Sequence, residues 1–386
     1  MIRCSAEDVR SWASSAGLDA CGITDASPFT TARSVIEERK ERGLHGGMHF
    51  TYGRPARSTE PRRTLETAES IVVGALGYHR EPVSDESADD AAAPKGAVGR
   101  FVWEPVYDDL AVRLEAVAEE LRRRGATAVV LVDDNRMVDR AAAHRAGLGW
   151  FGKNTNLLLG ELGSWFVLGS IVTDAVIEEA DGAAAEPMAD GCGTCVRCQV
   201  ACPTGALATA GELDARRCLA WLLQADGVFP AEHREALGGR VYGCDDCQTV
   251  CPPNTRHVRL HPSPPAGSDA RTHVDLLWML SATDDELMER LGRWYIPRRR
   301  PEYLRRNALV ALGNVADSDD PAVVAAVERS LQAPEEIVRA HAVWAARCLG
   351  LDRLVDELVV AGESAVVDAE IADRSPIERP DGGTGR

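Results

Sequence analysis

Apolar positions follow two different rhythms along the first 180 residues of the chain. Apolar runs at 21–24, 70–78, 126–132 and 165–173 have the length and β-branched content of strands. Between them, 109–124 carries apolar residues at helical spacing, and 6–16 predicts a first helix opened by the capping pair Ser5 and Asp8 and stopped by Gly17. This alternation predicts an α/β domain over 1–180 with a buried sheet. The acidic, alanine-rich stretches 83–93 and 177–190 read as a surface loop and a linker. Over 181–265 Cys, Gly and Pro displace the apolar runs, as in a small domain held by metal more than by a core. From 270 to 372 the rhythm is helical: LRRNALVALGN at Leu304 recurs loosely as VRAHAVWAARCLG at Val338, an offset of 34 residues. Helical hairpin repeats give such periods, although two copies also suit an ordinary helical domain. The polar stretch 373–386 reads as a disordered tail.

Length and charge narrow the possibilities. At 386 residues, 45% of them apolar, the chain can build two or three cores of ordinary size. Sixty acidic against 43 basic residues give a net charge of -17, which disfavours wholesale attraction to nucleic acid or an anionic membrane. A polyanionic partner must therefore meet a local basic patch. With no apolar run near the roughly 20 residues of a membrane span, and no signal-peptide pattern after Met1, a cytoplasmic protein is expected.

Eight of the eleven cysteines lie between Cys192 and Cys251, while Cys4, Cys21 and Cys348 are scattered and read as small buried apolar residues. CGTCVRCQVACP places Cys192, Cys195, Cys198 and Cys202 at the bacterial ferredoxin spacing C-x2-C-x2-C-x3-C-P. CDDCQTVCP supplies Cys244, Cys247 and Cys251, a copy without its first cysteine, and Cys218 is the thiol available to replace it. Crossed ligation, as in two-cluster ferredoxins, assigns Cys192, Cys195, Cys198 and Cys251 to one [4Fe-4S] cluster. Cys202, Cys218, Cys244 and Cys247 then take the second. Paired zinc sites are the alternative, but zinc does not require the twice-repeated C-x3-C-P. Pro203 and Pro252 interrupt local structure and leave nearby amides to face cluster sulfurs.

Two clusters need far less chain than this, so further chemistry is expected elsewhere. LVDDNRMVDRAAAHRAGLGWFGKNTNLL, from Leu131 to Leu158, runs from a strand end with two carboxylates through a helix to a Gly-rich turn. Asp133 and Asp134 read equally well as proton donors in a pocket that raises their pKa, or as turn and cap residues.

VDDNRMVDRAAAHRAGLGWFGKN, GSWFVLG, DGCGTCVRCQVACPTGAL, DARRCLAWLLQ and YGCDDCQTVCP, in that order, resemble the epoxyqueuosine reductases, cobalamin-dependent iron-sulfur enzymes of queuosine synthesis in tRNA. The resemblance spans residues 1 to about 350. It implies an α+β multidomain chain: an α/β cobalamin-binding domain, a ferredoxin-like two-cluster domain and HEAT-like helical repeats that accompany tRNA binding. It further implies that cobalt(I) of a base-off cobalamin, reduced by a nearby cluster, opens the epoxide of the wobble nucleoside of tRNA. Asp133, matching the family's V-D motif, would donate the proton that lets the oxygen leave. Asn154, Asp245 and Arg57 match positions near cobalamin, Arg57 in a segment one residue longer than usual. EPVYDDL keeps Tyr107 but places Asp108 where relatives carry histidine, which bears on the pocket wall.

RWYIPRRRPEYLRR concentrates Arg293, Arg298, Arg299, Arg300, Arg305 and Arg306 with Trp294, Tyr295 and Tyr303. Such a patch suits the phosphates and unpaired bases of an anticodon loop, or else arginines that cap helices and pair with Asp284, Asp285 and Glu286. An electron-donating reductant is implied as a second partner, and a monomer suits an enzyme of elongated RNA. Two other functions fit parts of the pattern. A corrinoid reductive dehalogenase shares the cofactor logic but typically carries a twin-arginine signal, absent here; a ferredoxin-like carrier with a helical interaction domain would bind no corrinoid.

Overall fold

In a computed structural model, which describes residues 2–82, 93–179, 185–267, 270–359, 362 and 364–373, the four apolar runs pair into one sheet. Its strands are β1 (Ala20–Asp25), β2 (Ser70–Gly77), β3 (Ala128–Val132) and β4 (Phe166–Thr173), in the order β1-β2-β4-β3. Every neighbouring pair is antiparallel. The expected α/β domain is thus corrected to an α+β one, because apolar rhythm fixes where strands lie and not which way they run. The expected 83–93 loop lies almost entirely outside the described residues, as do the middle of the 177–190 linker and the tail after 373.

Helix α1 (Ala6–Ser15) opens as expected, the Asp8 amide donating to the Ser5 hydroxyl at 3.0 Å. Helix α2 (Val106–Arg123) lays Leu110, Leu114, Val117 and Leu121 against the sheet. Its close approach depends on two glycines. Gly74 and Gly169 are register partners on β2 and β4, and a Cβ on either would stand 2.8 or 2.6 Å from a Leu114 methyl. On the other face the short helix α3 (Asp139–Arg145) buries Ala142 and Ala143 among Ile71, Val73, Leu131 and Val172.

The chain divides into two compact units that it visits alternately. The first is Met1–Glu81, Glu104–Arg216 and Asp246–Pro265; the second is Pro82–Trp103, Arg217–Asp245 and Ala266–Arg386. Residues 181–265, expected as a domain of their own, are shared between the two. Lacking a core, each cysteine segment attaches to whichever core its neighbours belong to. The first unit also holds the short helices α4 (Arg197–Ala201) and α5 (Pro252–Leu260). In the second, strands Arg240–Tyr242, Lys95–Val98 and His273–Asp275 pair in that order. Beside them pack helices α6 (Glu302–Val315), α7 (Pro321–Leu331) and α8 (Glu336–Cys348). The loosely repeated sequences lie on α6 and α8. No described helix is long and apolar enough to cross a membrane.

Gly169→Val is expected to lower stability by about 2 kcal/mol through overpacking against Leu114. Denaturant unfolding of the variant checks this, and an unchanged midpoint would mean that α2 does not depend on the glycine pair.

Candidate active site

Strand β3 delivers its last residue to a tight turn in which Asp133 takes the left-handed conformation, φ 49°. Aspartate tolerates that region better than most residues. The three carboxylates that follow have different surroundings. Asp134 accepts from the Arg136 Nε and Nη2 at 3.0 and 2.7 Å, and hydrogen bonding with Arg136 holds its carboxyl below the usual range. Among the described residues Asp133 has no such partner, and desolvation by its wall, helped by the Asp134 charge, raises its pKa. Asp139, at the start of α3, accepts from the Ser170 hydroxyl of β4 at 2.6 Å. Burial pushes its carboxyl up to about 7. Desolvation and the Asp133 charge also raise Tyr107, so this phenol stays protonated.

Asn135 ties the acid turn to a second segment by accepting from the Thr51 amide at 3.0 Å. A pocket of about 450 Å³ opens there, lined by His49, Thr51, Gly53, Arg54, Arg57, Asp134, Asn135 and Arg136. Among the described residues Arg57 makes no ion pair, although its charge lies close enough to lower Asp134. The structure thus brings Arg57 and the acid turn to one cavity.

The first cysteine set also lies in this unit. Burial pushes the Cys251 thiol up to about 11, with a smaller repulsion from the charges of Cys192, Cys198 and Cys195, which puts those three within electrostatic reach of it. Iron would relieve that repulsion, so the donor set fits a cluster. Among the described residues no three His, Cys, Asp or Glu side chains converge on a single metal ion. In a cubane each thiolate caps a different iron and stands further from its fellows. Cys251 caps α5, with Pro252 next and the Asn254 amide favouring the sulfur's charged form. Lys153 Nζ donates to the carbonyls of Gly193 and Cys195 at 2.6 and 3.0 Å, and buried Asn154 reaches the Cys247 carbonyl at 3.4 Å. Cys202 and Cys247 belong to the first unit, Cys218 and Cys244 to the second. Asp245 accepts from the Arg100 amide at 2.8 Å within the second unit.

The arginine-rich segment corrects several expectations. Arg306 is fully buried and donates to the carbonyls of Leu222, Leu223, Ala225 and Gly227, so it braces the interior and is withdrawn as an RNA contact. Trp294 and Tyr303 are buried too, Trp294 stacked on Tyr242 at 4.5 Å, and cannot stack on bases. Arg305 is mostly covered and pairs with Asp284 at 2.6 Å, the structural alternative raised above. Arg293 bonds the Val102 and Trp103 carbonyls, Arg299 that of Gly292, and Arg300 pairs with Glu302. Tyr295, Arg298, Arg299 and Arg300 are exposed, with Arg298 and Arg299 both at positive φ.

Residues 191–254 match the family model of a 4Fe-4S double cluster binding domain. The epoxyqueuosine reductase of Lactococcus garvieae is 34% identical over 81% of this chain and 87% of that protein; that of Bacillus subtilis is 31% identical over 92% and 91%. The chain belongs to the epoxyqueuosine reductase family. Among solved epoxyqueuosine reductases, one bound to an epoxyqueuosine-modified tRNA-Tyr stem loop superposes with a TM-score of 0.83 at 27% identity, covering 95% of this chain and 96% of that one. The Bacillus subtilis enzyme, with its catalytic aspartate loop swung out of the active site, gives 0.82 at 28% identity over the same shares. Within this family framework, sequence reasoning missed the Asp139–Ser170 pair and the fastening by Lys153. Asp139 carried a signal, a carboxylate opening a short Ala-rich helix against a buried sheet.

Because the native state keeps the Asp139 proton up to about 7 while an unfolded aspartate releases it near 4, wild-type stability falls as pH rises through that window. Asp139→Asn, which retains an acceptor for Ser170, removes this loss. Unfolding free energies measured at pH 4.5 and 7.5 should show the variant gaining on wild type, and parallel profiles would contradict the burial.

Proposed function

We propose that the chain reduces epoxyqueuosine to queuosine in tRNA, consuming two electrons and two protons and releasing the epoxide oxygen as water. The observation that carries this reading is a raised, unpaired carboxylate in the same unit as four gathered thiols, in a member of the epoxyqueuosine reductases. Cys192, Cys195, Cys198 and Cys251 hold one [4Fe-4S] cluster. On spacing alone, Cys202, Cys218, Cys244 and Cys247 hold the other.

Cobalamin is the second cofactor. When bound it supplies a strongly reducing cobalt centre able to open an epoxide. The unpaired Arg57 guanidinium suits a ligand rich in amides and phosphate, and Asn154 and Asp245 are assigned to the same cofactor. The Asn154 side-chain amide donates to the Cys247 carbonyl while its oxygen takes the Asn156 amide, so it is held in a fixed orientation.

Asp133 is the proton donor. An epoxide oxygen leaves poorly as alkoxide, and a carboxyl with a raised pKa holds its proton closer to neutrality than its neighbour Asp134, which Arg136 keeps charged. The left-handed turn at Asp133 is where an aspartate loop of the kind that swings in the Bacillus subtilis enzyme would pivot. Arg293, Arg298, Arg299 and Arg300, with Tyr295, form the surface proposed for tRNA phosphates and a loop base, since they remain exposed where Arg306 does not. The helices from α6 to α8 are read as HEAT-like, and the enzyme as a cytoplasmic monomer.

Mass spectrometry of epoxyqueuosine-containing tRNA, before and after anaerobic incubation with enzyme, cobalamin and reductant, tests the assignment; untouched tRNA would overturn it. Asp133→Asn should keep about eight irons per chain and lose at least about a hundredfold in turnover, whereas full activity would move the acid elsewhere. Arg298→Ala with Arg299→Ala should weaken stem-loop affinity and flatten its dependence on salt, and an unchanged salt slope would remove both from the surface.

A further inference from the structure

The chain buries most of its large apolar side chains, yet among those it leaves in the open are two on the short segment that carries Cys198. Val200 is 81% exposed and Val196 48%, and they stand four residues apart on and just before α4, the helix that carries Cys198. That spacing puts both on one face. Lone exposed valines are ordinary on a protein surface; a pair aligned within about one helical turn of a cluster ligand is less so.

The charge around them is also out of keeping with the chain. Arg197 lies between the valines, and α5, which springs directly from Cys251, exposes Arg256 and Arg259 three residues apart. Among the described residues none of these three arginines makes an ion pair or side-chain hydrogen bond. The nearby Asp190 carboxylate is engaged by the Cys192 amide at 2.8 Å. In a chain of net charge -17, free cations thus gather around the segments that hold four thiols.

We infer that Val196, Arg197 and Val200, together with Arg256 and Arg259 on the helix that leaves Cys251, make up the docking surface for a small acidic one-electron carrier protein. The inference rests on the proposed cluster at Cys192, Cys195, Cys198 and Cys251. Electron-transfer encounters use small interfaces, and a short apolar centre with a cationic rim meets the two requirements, dry contact and charge steering. Each encounter oxidises the carrier by one electron and reduces the cluster by one; no atom or proton changes hands.

The test uses cluster-loaded full-length protein without RNA. An acidic two-iron ferredoxin, reduced beforehand, is mixed anaerobically with the protein in a stopped-flow instrument, and bleaching of the four-iron absorbance gives the rate. Arg197→Glu and Val200→Ser should each slow reduction by the ferredoxin roughly tenfold, and the wild-type rate should fall with added salt. Iron content, cluster potential and the rate with dithionite, which needs no docking face, should stay as in wild type. Unchanged ferredoxin rates would overturn the inference. So would a parallel slowing with dithionite or a shifted potential, which would assign the effect to the cluster itself. Weakened binding of the tRNA stem loop with normal ferredoxin rates would give the face to RNA. Since no step involves epoxyqueuosine, these outcomes stand apart from the fate of the activity proposed above.

Discussion

The positions of the cysteine thiols in the first unit depend on polar fastening of backbone carbonyls. The cysteine segments of the first unit bury few apolar side chains of their own, so packing cannot fix them. Lys153 grips the Gly193 and Cys195 carbonyls, and Asn154 reaches that of Cys247. On α5, the Asn254 amide nitrogen donates to the Gln248 carbonyl at 2.7 Å while its oxygen takes the Ser164 amide at 2.5 Å. One Gly-Lys-Asn turn and one buried asparagine therefore tie both cysteine runs to the sheet-bearing core.

The same core separates three nearby carboxylates by environment alone. Asp134 is neutralised by a guanidinium, Asp139 is buried against a hydroxyl, and Asp133, in a left-handed turn, has no ion-pair partner among the described residues. Chemically identical side chains thereby differ: one is held charged in an ion pair, one keeps its proton by burial, and one has its pKa raised by desolvation and a neighbouring charge. Tyr107 adds a neutral hydroxyl to the wall, which bears on the EPVYDDL departure: the aromatic position is kept, and Asp108 beside it is exposed.

Much of this was legible in the sequence, and what was not has identifiable causes. The four strands fall within one or two residues of their apolar runs, because burial on both faces leaves an uninterrupted pattern. Strand direction was not legible, since it is set by long connections. The ferredoxin spacing located the cysteines but could not show that the units divide among them. The six arginines looked equivalent as letters. The signal that distinguishes Arg306 was present in RRNALVALGN, whose apolar residues surround the helix, so that a cation inside that run must face protein. The role of Lys153 was not legible, because nothing in its sequence neighbourhood announces carbonyls as partners.

The alternating path between units has a consequence for how the molecule can be dissected. Among the described residues, the stretch bearing Cys218 and Cys244 shares its interior with strands and helices contributed before residue 104 and after residue 265. Phe229 and Leu237, for instance, are sealed by a core that includes Leu309 and Val343. A fragment ending at residue 265 would keep every clustered cysteine yet strip the scaffold from beneath two of them. The metal-bearing portion is therefore not a module to be excised, and its assembly must await synthesis of the C-terminal helices.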